Sequence, residues 1–418
     1  MNASDESLMS SSDAVQGERS AAGARSFEGR LLERMLTRLG SPEVEFTLWS
    51  GERIAPAGVE PVCRVRIGNR ATLLSILADP AVRFPDAYCD GRVQIEGDLV
   101  RLLERVYLAG ERAPVASPLG RLFERLRRPH VNTLAGSRAN IHHHYDISNA
   151  FYELWLGQTM AYTCAYYPTA ESSLDQAQIA KMDHVCRKMR LRAGEHVVEA
   201  GCGWGTLALH MARHYGVKVR AFNISREQVA YARERAEREG LAGQVEYVQD
   251  DYRNISGRYD AFVSVGMLEH VGVDNYEGLG AVVARSLGEN GRGLVHSIGR
   301  NYPAPMQPWI EKRIFPGACP PSLAQMTRIF EPHNLSILDV ENLRLHYAQT
   351  LRHWLELFEL AGDRVQQMFD AKFVRMWRMY LAGSIAAFTT GTLQLFQVVF
   401  ATAHNNDVPR TRAHLYVP

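Results

Sequence analysis

The chain has 418 residues, of which 46% are hydrophobic and 22% are charged, and its formal net charge is +1. This composition supports a sizeable core and favours two domains over one. The near-neutral balance excludes a global field that would draw the chain to nucleic acid, although local basic clusters can still bind anionic lipid. The six cysteines show no C-x-x-C spacing and no signal-peptide pattern opens the chain, so we expect a reducing cytoplasm without a disulfide framework.

The amino-terminal part of the sequence predicts a leader followed by a small α+β domain. Residues 1–24 are rich in Ser, Ala and Gly without periodicity, which predicts disorder. Apolar residues recur at one-turn spacing from Phe27 to Leu39, which predicts an amphipathic helix. The runs VEFTLWSG, CRVRIGN and GRVQIEGD then predict strands. We place this domain at residues 25–112 and expect it to associate with lipid or membrane.

Residues 113–137 are predicted to be a linker that carries a basic amphipathic helix. Apolar residues between Leu119 and Leu126 share one face, and arginines between Arg121 and Arg128 surround it. Such a helix can lie at a phospholipid surface. It can equally be a solvated interdomain helix packed on its neighbours. The sequence leaves both interpretations open.

The remaining residues, 138–418, are predicted to form an α/β domain with a doubly wound parallel sheet. The segments HVVEAG, KVRAFNIS, VEYVQDD, DAFVSVGM and RGLVHSIG predict successive strands, with TLALHMARHYG and REQVAYARERAEREG among the intervening helices. Ligands of such sheets bind beyond the carboxyl ends of the strands. Candidate residues at those ends are Glu199, Asn223, Asp250, Asp251, Met267–Glu269 and His296–Ile298.

A glycine-rich turn follows the first of these strands and is the most specific local motif. Three glycines at alternate positions from Gly201 to Gly205 allow a sharp turn and a close approach to a ligand, before a helix whose N-terminus points at the turn. A dinucleotide site needs G-x-G-x-x-G, whereas Thr206 stands at the sixth place. Glu199 and, about 20 residues later, Asn223 fit an amino-acid headgroup and a ribose. The motif therefore disfavours NAD and points to S-adenosylmethionine.

One apolar segment could be mistaken for a membrane span. Leu381–Ala403 carries no charged residue and is long enough to cross a bilayer. Serine, threonine and glutamine side chains interrupt it, and its LQLFQVVFA part is typical of a strand in a buried sheet. We therefore predict no transmembrane helix here.

Two histidine groups could suggest a metal site. His142–His144 are adjacent, so on a helix they would fan out and could not chelate one ion together. His210 and His214 share a helix face, but Met211 replaces the glutamate of a zinc-protease motif. We predict no metal site.

Eight segments, taken in order and spacing, resemble the cyclopropane-fatty-acyl-phospholipid synthases and the related mycolic acid cyclopropane synthases. They are HHYDISNAFYELWLG, MAYTCAYYP, EAGCGWG, VSVGMLEHVG, LVHSIG, PWIEKRIFPGACPPS, HYAQTLRHW and LQLFQVVF. The resemblance covers most of the chain and implies a Rossmann-like S-adenosylmethionine-dependent methyltransferase fold. It also implies transfer of a methyl group to a cis double bond of a phospholipid acyl chain, followed by proton loss and ring closure.

The resemblance implies a base site as well. In the family the base is thought to be a bicarbonate ion beside the acyl channel, and its ligands here would be Cys164, Glu269, His296, Ile298 and Tyr347. These groups combine donors with an acceptor, Glu269, for the O–H of the ion. Each also has an ordinary structural interpretation, such as His296 as a satisfied core histidine.

For the cofactor, the resemblance implies contacts along the whole molecule. The residues are Gly201 and Gly203 under the methionine part, Asn223 and Gln228 near the ribose, Asp250 and Asp251 near the adenine, and Tyr162 and Thr163 over the sulfonium. Glu199 completes this set. Family members often carry threonine at the position of Asn223 and serine at that of Thr163, and this chain keeps a polar group at both. An apolar tunnel is also required, with Trp309, Ile310, Ile314 and Phe315 as candidate lining.

The implied partners are an unsaturated phospholipid at the inner membrane surface and a second copy of the chain in a homodimer. The implied location is cytoplasmic, with peripheral association to the membrane. An alternative is a C-methyltransferase that stops early and gives a methylated or methylene-bearing acyl chain. An alternative of another class is an inactive lipid-binding protein. A small-molecule or nucleic-acid methyltransferase is a third option, and the absence of a basic, aromatic-rich groove in the sequence pattern disfavours it.

Overall fold

The computed structural model describes residues 25–56, 58–112 and 148–416. The predicted leader, the basic helix within residues 113–137 and His142–His144 lie outside these ranges. The predicted domain boundaries therefore stay predictions.

The amino-terminal elements surround a four-stranded sheet of order β2-β1-β3-β4. In β3, buried Cys63, Val65 and Ile67 alternate with exposed arginines, because one face of the sheet packs on helices and the other meets water. The helix that begins at Phe27 and all three strands predicted from sequence are confirmed. The elements are α1 (Phe27–Arg38), β1 (Val44–Thr47), β2 (Arg53–Ile54), β3 (Cys63–Ile67), α2 (Arg70–Ala78), α3 (Pro80–Cys89), β4 (Val93–Gly97) and α4 (Leu99–Arg112).

The elements from residue 148 onward build a seven-stranded sheet with helices on both faces. The strands are β5 (His196–Ala200), β6 (Lys218–Asn223), β7 (Val245–Gln249), β8 (Tyr259–Val265), β9 (Leu287–Gly299), β10 (Leu335–Asn342) and β11 (Gln394–Thr402). The helices are α5 (Asn149–Tyr152), α6 (Leu174–Met189), α7 (Thr206–Tyr215), α8 (Arg226–Arg238), α9 (Tyr276–Ser286), α10 (Pro308–Arg313), α11 (Leu323–Met326), α12 (Arg344–Leu360), α13 (Gly362–Met368) and α14 (Ala371–Thr390).

The strand order is β10-β11-β9-β8-β5-β6-β7. Strands β5 to β9 pair in parallel, as predicted, and β11 is antiparallel to both of its neighbours. The chain moves outward from β5 through β6 and β7, and then returns to the other side of β5 with β8. A topological switch point therefore lies between β5 and β8, where doubly wound sheets form their ligand crevice. The predicted Rossmann-like fold is confirmed.

The apolar segment Leu381–Ala403 is divided between two elements. Its first half belongs to α14 and its second half is the fully paired strand β11, as the alternation of LQLFQVVFA predicted. In the ranges that the structure describes, no helix combines the length and the apolar character that a membrane crossing needs.

The two sheets are joined by a continuous apolar core. Helix α4 packs against α14, which in turn packs against α12. Leu102 and Leu103 on α4 belong to the same buried cluster as Trp377 and Ile385 on α14. This packing brings the side chain of Tyr107, also on α4, to a cavity formed mainly by the second sheet and its helices.

Candidate active site

The glycine turn after β5 adopts the conformation that its sequence predicts. The φ angles of Gly201, Gly203 and Gly205 are +84°, +53° and +80°, and residues other than glycine rarely adopt this backbone region. A Cβ at Gly205 would lie 2.4 Å from the hydroxyl oxygen of Tyr247, whereas one at Gly203 would meet nothing within 4 Å. Gly205 is thus required by packing, and Gly203 faces open space. Thr206 begins α7, and its hydroxyl donates to the carbonyl of Thr159 at 2.5 Å.

A first cavity of about 120 Å³, which we call the cofactor cavity, lies at this turn. It occupies the switch point beyond the carboxyl ends of β5, β6 and β8. The structure brings seven of the predicted cofactor residues into its wall: Tyr162, Thr163, Glu199, Gly201, Gly203, Asn223 and Gln228.

Asp250 and Asp251 do not line the cofactor cavity. The carboxylate of Asp250 accepts from Asn254 at 2.9 Å, and that of Asp251 accepts from the Arg253 guanidinium at 2.7 Å. Both carboxylates thus stabilise the short 3₁₀ turn that follows β7. Their predicted contact with the adenine remains a prediction.

Asn223 ties the end of β6 to the glycine turn. Its side-chain nitrogen donates to the Gln228 side chain at 2.8 Å and to the Gly203 carbonyl at 3.2 Å. Its side-chain oxygen accepts from the Ser225 amide at 3.1 Å. The amide at this position therefore holds the loop geometry as well as facing the cavity.

Two buried ionisable groups, one acidic and one basic, face the cofactor cavity. Glu199 is 2% exposed, its Oε2 has no hydrogen-bond partner among the described residues, and burial raises its pKa to about 8. Lys181 on α6 donates to the Thr163 hydroxyl at 2.9 Å, and burial lowers its pKa to about 8. Sequence reasoning missed Lys181, which lies in a helix without a recognisable motif. The orphaned carboxylate oxygen fits an amine donor such as the α-amino group of S-adenosylmethionine.

A second cavity of about 390 Å³, which we call the acyl cavity, adjoins the first. Its volume is typical of a small-molecule site. Ile310 and Phe315 line it as predicted, whereas Trp309 and Ile314 do not. The expectation for those two is wrong: both are buried, and the Trp309 indole donates to Asp86 on α3 at 3.0 Å. All five predicted base-site residues line the acyl cavity: Cys164, Glu269, His296, Ile298 and Tyr347.

The two cavities share one wall. Tyr162, Thr163, Gly266 and His270 line both of them. A Cβ at Gly266 would lie 2.9 Å from the Thr163 methyl carbon, so the wall is closely packed there. Burial lowers the pKa of His270 to about 4, which keeps its ring neutral. The two cavities are therefore immediate neighbours, separated by these four residues.

Glu269 joins the ends of β8 and β9 within the acyl cavity. Its Oε1 accepts from the backbone amide of Ile298 at 2.5 Å, and its Oε2 has no partner in the described part of the chain. Burial raises the pKa of this carboxyl to about 7. The group can therefore take or lose a proton near neutrality.

His296 is oriented by Gln397, which sequence reasoning missed. The Gln397 amide nitrogen lies 3.0 Å from Nδ1 of His296, and the two residues are register partners on β11 and β9. In this orientation the amide donates, so Nδ1 accepts and Nε2 carries the ring proton. Burial and the nearby Lys181 charge hold the pKa of His296 well below its usual range. Nε2 has no partner among the residues described.

These orphaned atoms fit a small oxyanion that carries a hydroxyl group. Nε2 of His296 offers a donor, and Oε2 of Glu269 offers an acceptor, which together match bicarbonate. Cys164 is fully buried and its thiol contacts the Ala165 carbonyl at 3.1 Å. Because burial strongly raises the pKa of that thiol, Cys164 is neutral and is not a nucleophile.

Comparison with known proteins places the chain among lipid-modifying enzymes. The family described as "Mycolic acid cyclopropane synthetase" matches residues 133–398, and a domain of unknown function matches residues 31–113. A probable fatty acid methyltransferase of Pseudomonas putida is 36% identical over 88% of this chain and 95% of its own length. The cyclopropane-fatty-acyl-phospholipid synthase of Escherichia coli K12 is 40% identical over 63% of this chain and 68% of its own length.

Among solved structures, a mycolic acid cyclopropane synthase, CmaA1, complexed with SAH and CTAB, is similar with a TM-score of 0.61. It is 26% identical and covers 63% of this chain and 98% of its own.

Proposed function

The chain belongs to the mycolic acid cyclopropane synthetase family and is an S-adenosylmethionine-dependent methyltransferase, and from this premise we propose its reaction. The proposed reaction transfers a methylene group from S-adenosylmethionine to a cis double bond of an unsaturated phospholipid acyl chain. The product is a cyclopropane fatty acyl group, and bound bicarbonate is the proposed base.

The single observation that carries this proposal is the wall shared by the cofactor cavity and the acyl cavity. Methyl transfer to an alkene needs the two reactants in line and in contact, because an alkene is a weak nucleophile. Tyr162, Thr163, Gly266 and His270 border both cavities. Aliphatic and aromatic side chains such as Ile310, Phe315 and Phe388 line the acyl cavity, so a hydrocarbon chain can bind there.

The residues of the cofactor cavity fit S-adenosylmethionine. That molecule supplies an electrophilic methyl group on a positively charged sulfur. Oε2 of Glu199 offers an acceptor to the α-amino group, and Gly203 leaves space beside the turn. The rings of Tyr162 and Trp204 line the cavity and favour a cation near their faces.

The residues around Glu269 fit bicarbonate, which would supply a base in a region closed to bulk water. His296 would donate from Nε2 and Glu269 would accept at Oε2. Cys164 and Tyr347 would close the site on the side of α12. Burial keeps both His296 and His270 neutral, so neither adds a positive charge that would oppose a cation forming on the lipid.

Expression in bacteria that lack a cyclopropane synthase tests the reaction. We expect unsaturated phospholipid acyl chains to gain the mass of one CH₂ group and to lose their double bond, with the upfield proton resonance of a cyclopropane methylene. Lipids of unchanged mass would contradict the proposal.

The base is tested separately with purified protein. Removal of dissolved carbon dioxide should lower turnover, and added bicarbonate should restore it without changing cofactor affinity. Turnover that is independent of bicarbonate would leave the methyl transfer in place and remove bicarbonate from the proposal.

A second candidate is a C-methyltransferase that yields a methylated or methylene-bearing chain. The similarity to a probable fatty acid methyltransferase, which extends over 95% of that protein's length, supports this second candidate. The same lipid analysis separates the two products, because a methylene-bearing chain has the mass of the ring product but retains a double bond.

A further inference from the structure

The wall of the acyl cavity carries an arginine whose charge meets no carboxylate among the described residues. Arg300 directly follows β9, and its side chain lines the cavity. A guanidinium nitrogen of Arg300 lies 3.9 Å from the thioether sulfur of Met306, a weak acceptor. Its Nε is buried and has no partner in the described chain. A guanidinium has five N–H donors, so Arg300 can donate to further acceptors bound in the cavity.

A second polar group reaches the same cavity from the amino-terminal domain. Tyr107 on α4 also lines it. Burial raises the pKa of Tyr107 and the Arg300 charge opposes that rise, while burial lowers the pKa of Arg300. The phenol therefore keeps its proton near neutrality and remains a donor.

The segment after Arg300 connects the cavity to the protein surface. Pro305, Met306 and Gln307 line the cavity, whereas Tyr302 in the same segment is 69% exposed. The Gln307 side chain donates to the Ala81 carbonyl on α3 at 3.0 Å, which fastens the segment to the amino-terminal elements. Arg300 is thus partly exposed, whereas His296 of the base site is buried.

We infer that Arg300 and Tyr107 form a subsite for the phosphate of the lipid headgroup, an inference that rests on the proposed function. The planar guanidinium binds two phosphate oxygens side by side, and the phenol adds one more donor. An unpaired guanidinium in a cavity wall is costly, and an oxyanion removes that cost. An amphiphile would then place its charged end at Arg300 and its alkene at the wall shared by the two cavities. The carboxylate of a free fatty acid offers related chemistry, so the test must separate the two sources.

The test measures binding by the full chain with S-adenosylhomocysteine present. The probes are dioctanoylphosphatidylglycerol, dioctanoylglycerol and octanoate, each below its aggregation concentration. We expect Arg300→Gln to weaken phosphatidylglycerol binding about tenfold or more, because a charge-assisted hydrogen bond is lost, and to leave dioctanoylglycerol binding unchanged. Arg300→Lys should recover part of the loss. Arg364→Gln, which removes an exposed arginine on α13, is the control for charge alone and should match the wild type.

Binding that is equal for the phospholipid and dioctanoylglycerol, or an equal loss for both probes in Arg300→Gln, would overturn the subsite. A loss confined to octanoate would assign Arg300 to a carboxylate instead and overturn the phosphate assignment. Turnover is then measured on unsaturated phospholipid. Selective phospholipid binding without any lipid product would leave the subsite in place and contradict the proposed reaction, so the two failures are distinguishable.

Discussion

Gln397 and His296 face each other across the antiparallel pair β11 and β9, with the Gln397 amide nitrogen 3.0 Å from Nδ1 of His296. With the Gln397 amide in this orientation the ring proton is on Nε2, the atom that lacks a partner in the described part of the acyl cavity. The tautomer, and with it the ability of His296 to donate to an anion, depends on a strand neighbour that does not itself line the cavity.

Gln397→Leu should therefore lower kcat about tenfold, since one orienting hydrogen bond is lost, with little change in KM for the lipid. The nitrogen chemical shifts of His296 should report a mixture of tautomers. Gln394→Leu is the matched control, because Gln394 lies on the same strand and donates to the Gly391 carbonyl at 2.6 Å. Equal losses in both variants would mean that Gln397 only supports the sheet.

The pH dependence of turnover should follow Glu269. Burial raises the pKa of this carboxyl to about 7 from an ordinary value of 4.5. Only the anion can accept the hydroxyl proton of a bound oxyanion without offering a competing donor. We expect kcat to rise as the pH climbs through about 7 and Glu269→Gln to remove this step. A wild-type profile that is flat across this range would count against the role of Glu269.

Stability should show the opposite trend with pH. Since the native pKa lies above the unfolded one, the native state holds more protons between about pH 4.5 and 7, and stability is lost as the pH rises through that window. Relative to Glu269→Gln, which stays neutral, the wild type should lose up to about 3 kcal/mol of unfolding free energy. Thermal unfolding of both proteins at several pH values measures the difference. A difference that does not vary with pH would mean that Glu269 titrates normally.

Lys181 should support cofactor binding. Its Nζ donates to the Thr163 hydroxyl, and its positive charge opposes the rise in the pKa of Glu199 in the same cavity. Lys181→Met should weaken S-adenosylhomocysteine binding about tenfold in calorimetry, because Thr163 loses its donor and Glu199 loses a positive charge that favours its ionised form. Lys188→Met, on the same helix, removes a buried lysine that contacts Glu341 at 2.6 Å outside both cavities. That control should lose stability and keep its cofactor affinity; the reverse pattern would exclude Lys181 from the site.

The glycine turn offers a matched pair of substitutions. Gly203→Ala adds a methyl group that meets nothing within 4 Å, so the cost in stability should be about 1 kcal/mol from backbone strain, with a clear loss of cofactor affinity. Gly205→Ala forces a Cβ to 2.4 Å from the Tyr247 hydroxyl oxygen and should destabilise the protein considerably more. Thermal unfolding and calorimetry together measure both effects. If Gly203→Ala leaves the cofactor affinity unchanged, the cofactor does not bind beside the glycine turn.

Much of this architecture could be predicted because short segments of the sequence determine their own secondary structure. The apolar strand runs, the positive-φ glycines and the segment LQLFQVVFA each specify their element without help from distant residues. The family resemblance predicted that Cys164, Glu269 and His296, which lie far apart in sequence, belong to one site. The structure brings all three into the wall of one cavity.

The residues that were missed depend on tertiary packing. Tyr107 reaches the acyl cavity only because α4 docks on α14, and Gln397 matters only through its register with His296. Trp309 was wrongly assigned to the lining of the acyl cavity. Its indole N–H donates instead to Asp86 on α3, a partner distant in sequence that could not be inferred from the segment around Trp309. The sequence around Lys181 does not distinguish it from an exposed helical lysine, because its burial depends on how α6 packs in the folded protein.

The most direct test of the account uses the purified chain, S-adenosylmethionine with a ¹³C-labelled methyl group, and vesicles of a dioleoyl phospholipid. Glu269→Gln serves as the control for chemistry at the proposed base site. NMR of the extracted lipid should place the label in the methylene carbon of a cyclopropane ring, with little label in the control. Label in a methyl group or an exocyclic methylene carbon, or no label in the lipid at all, would contradict the central claim.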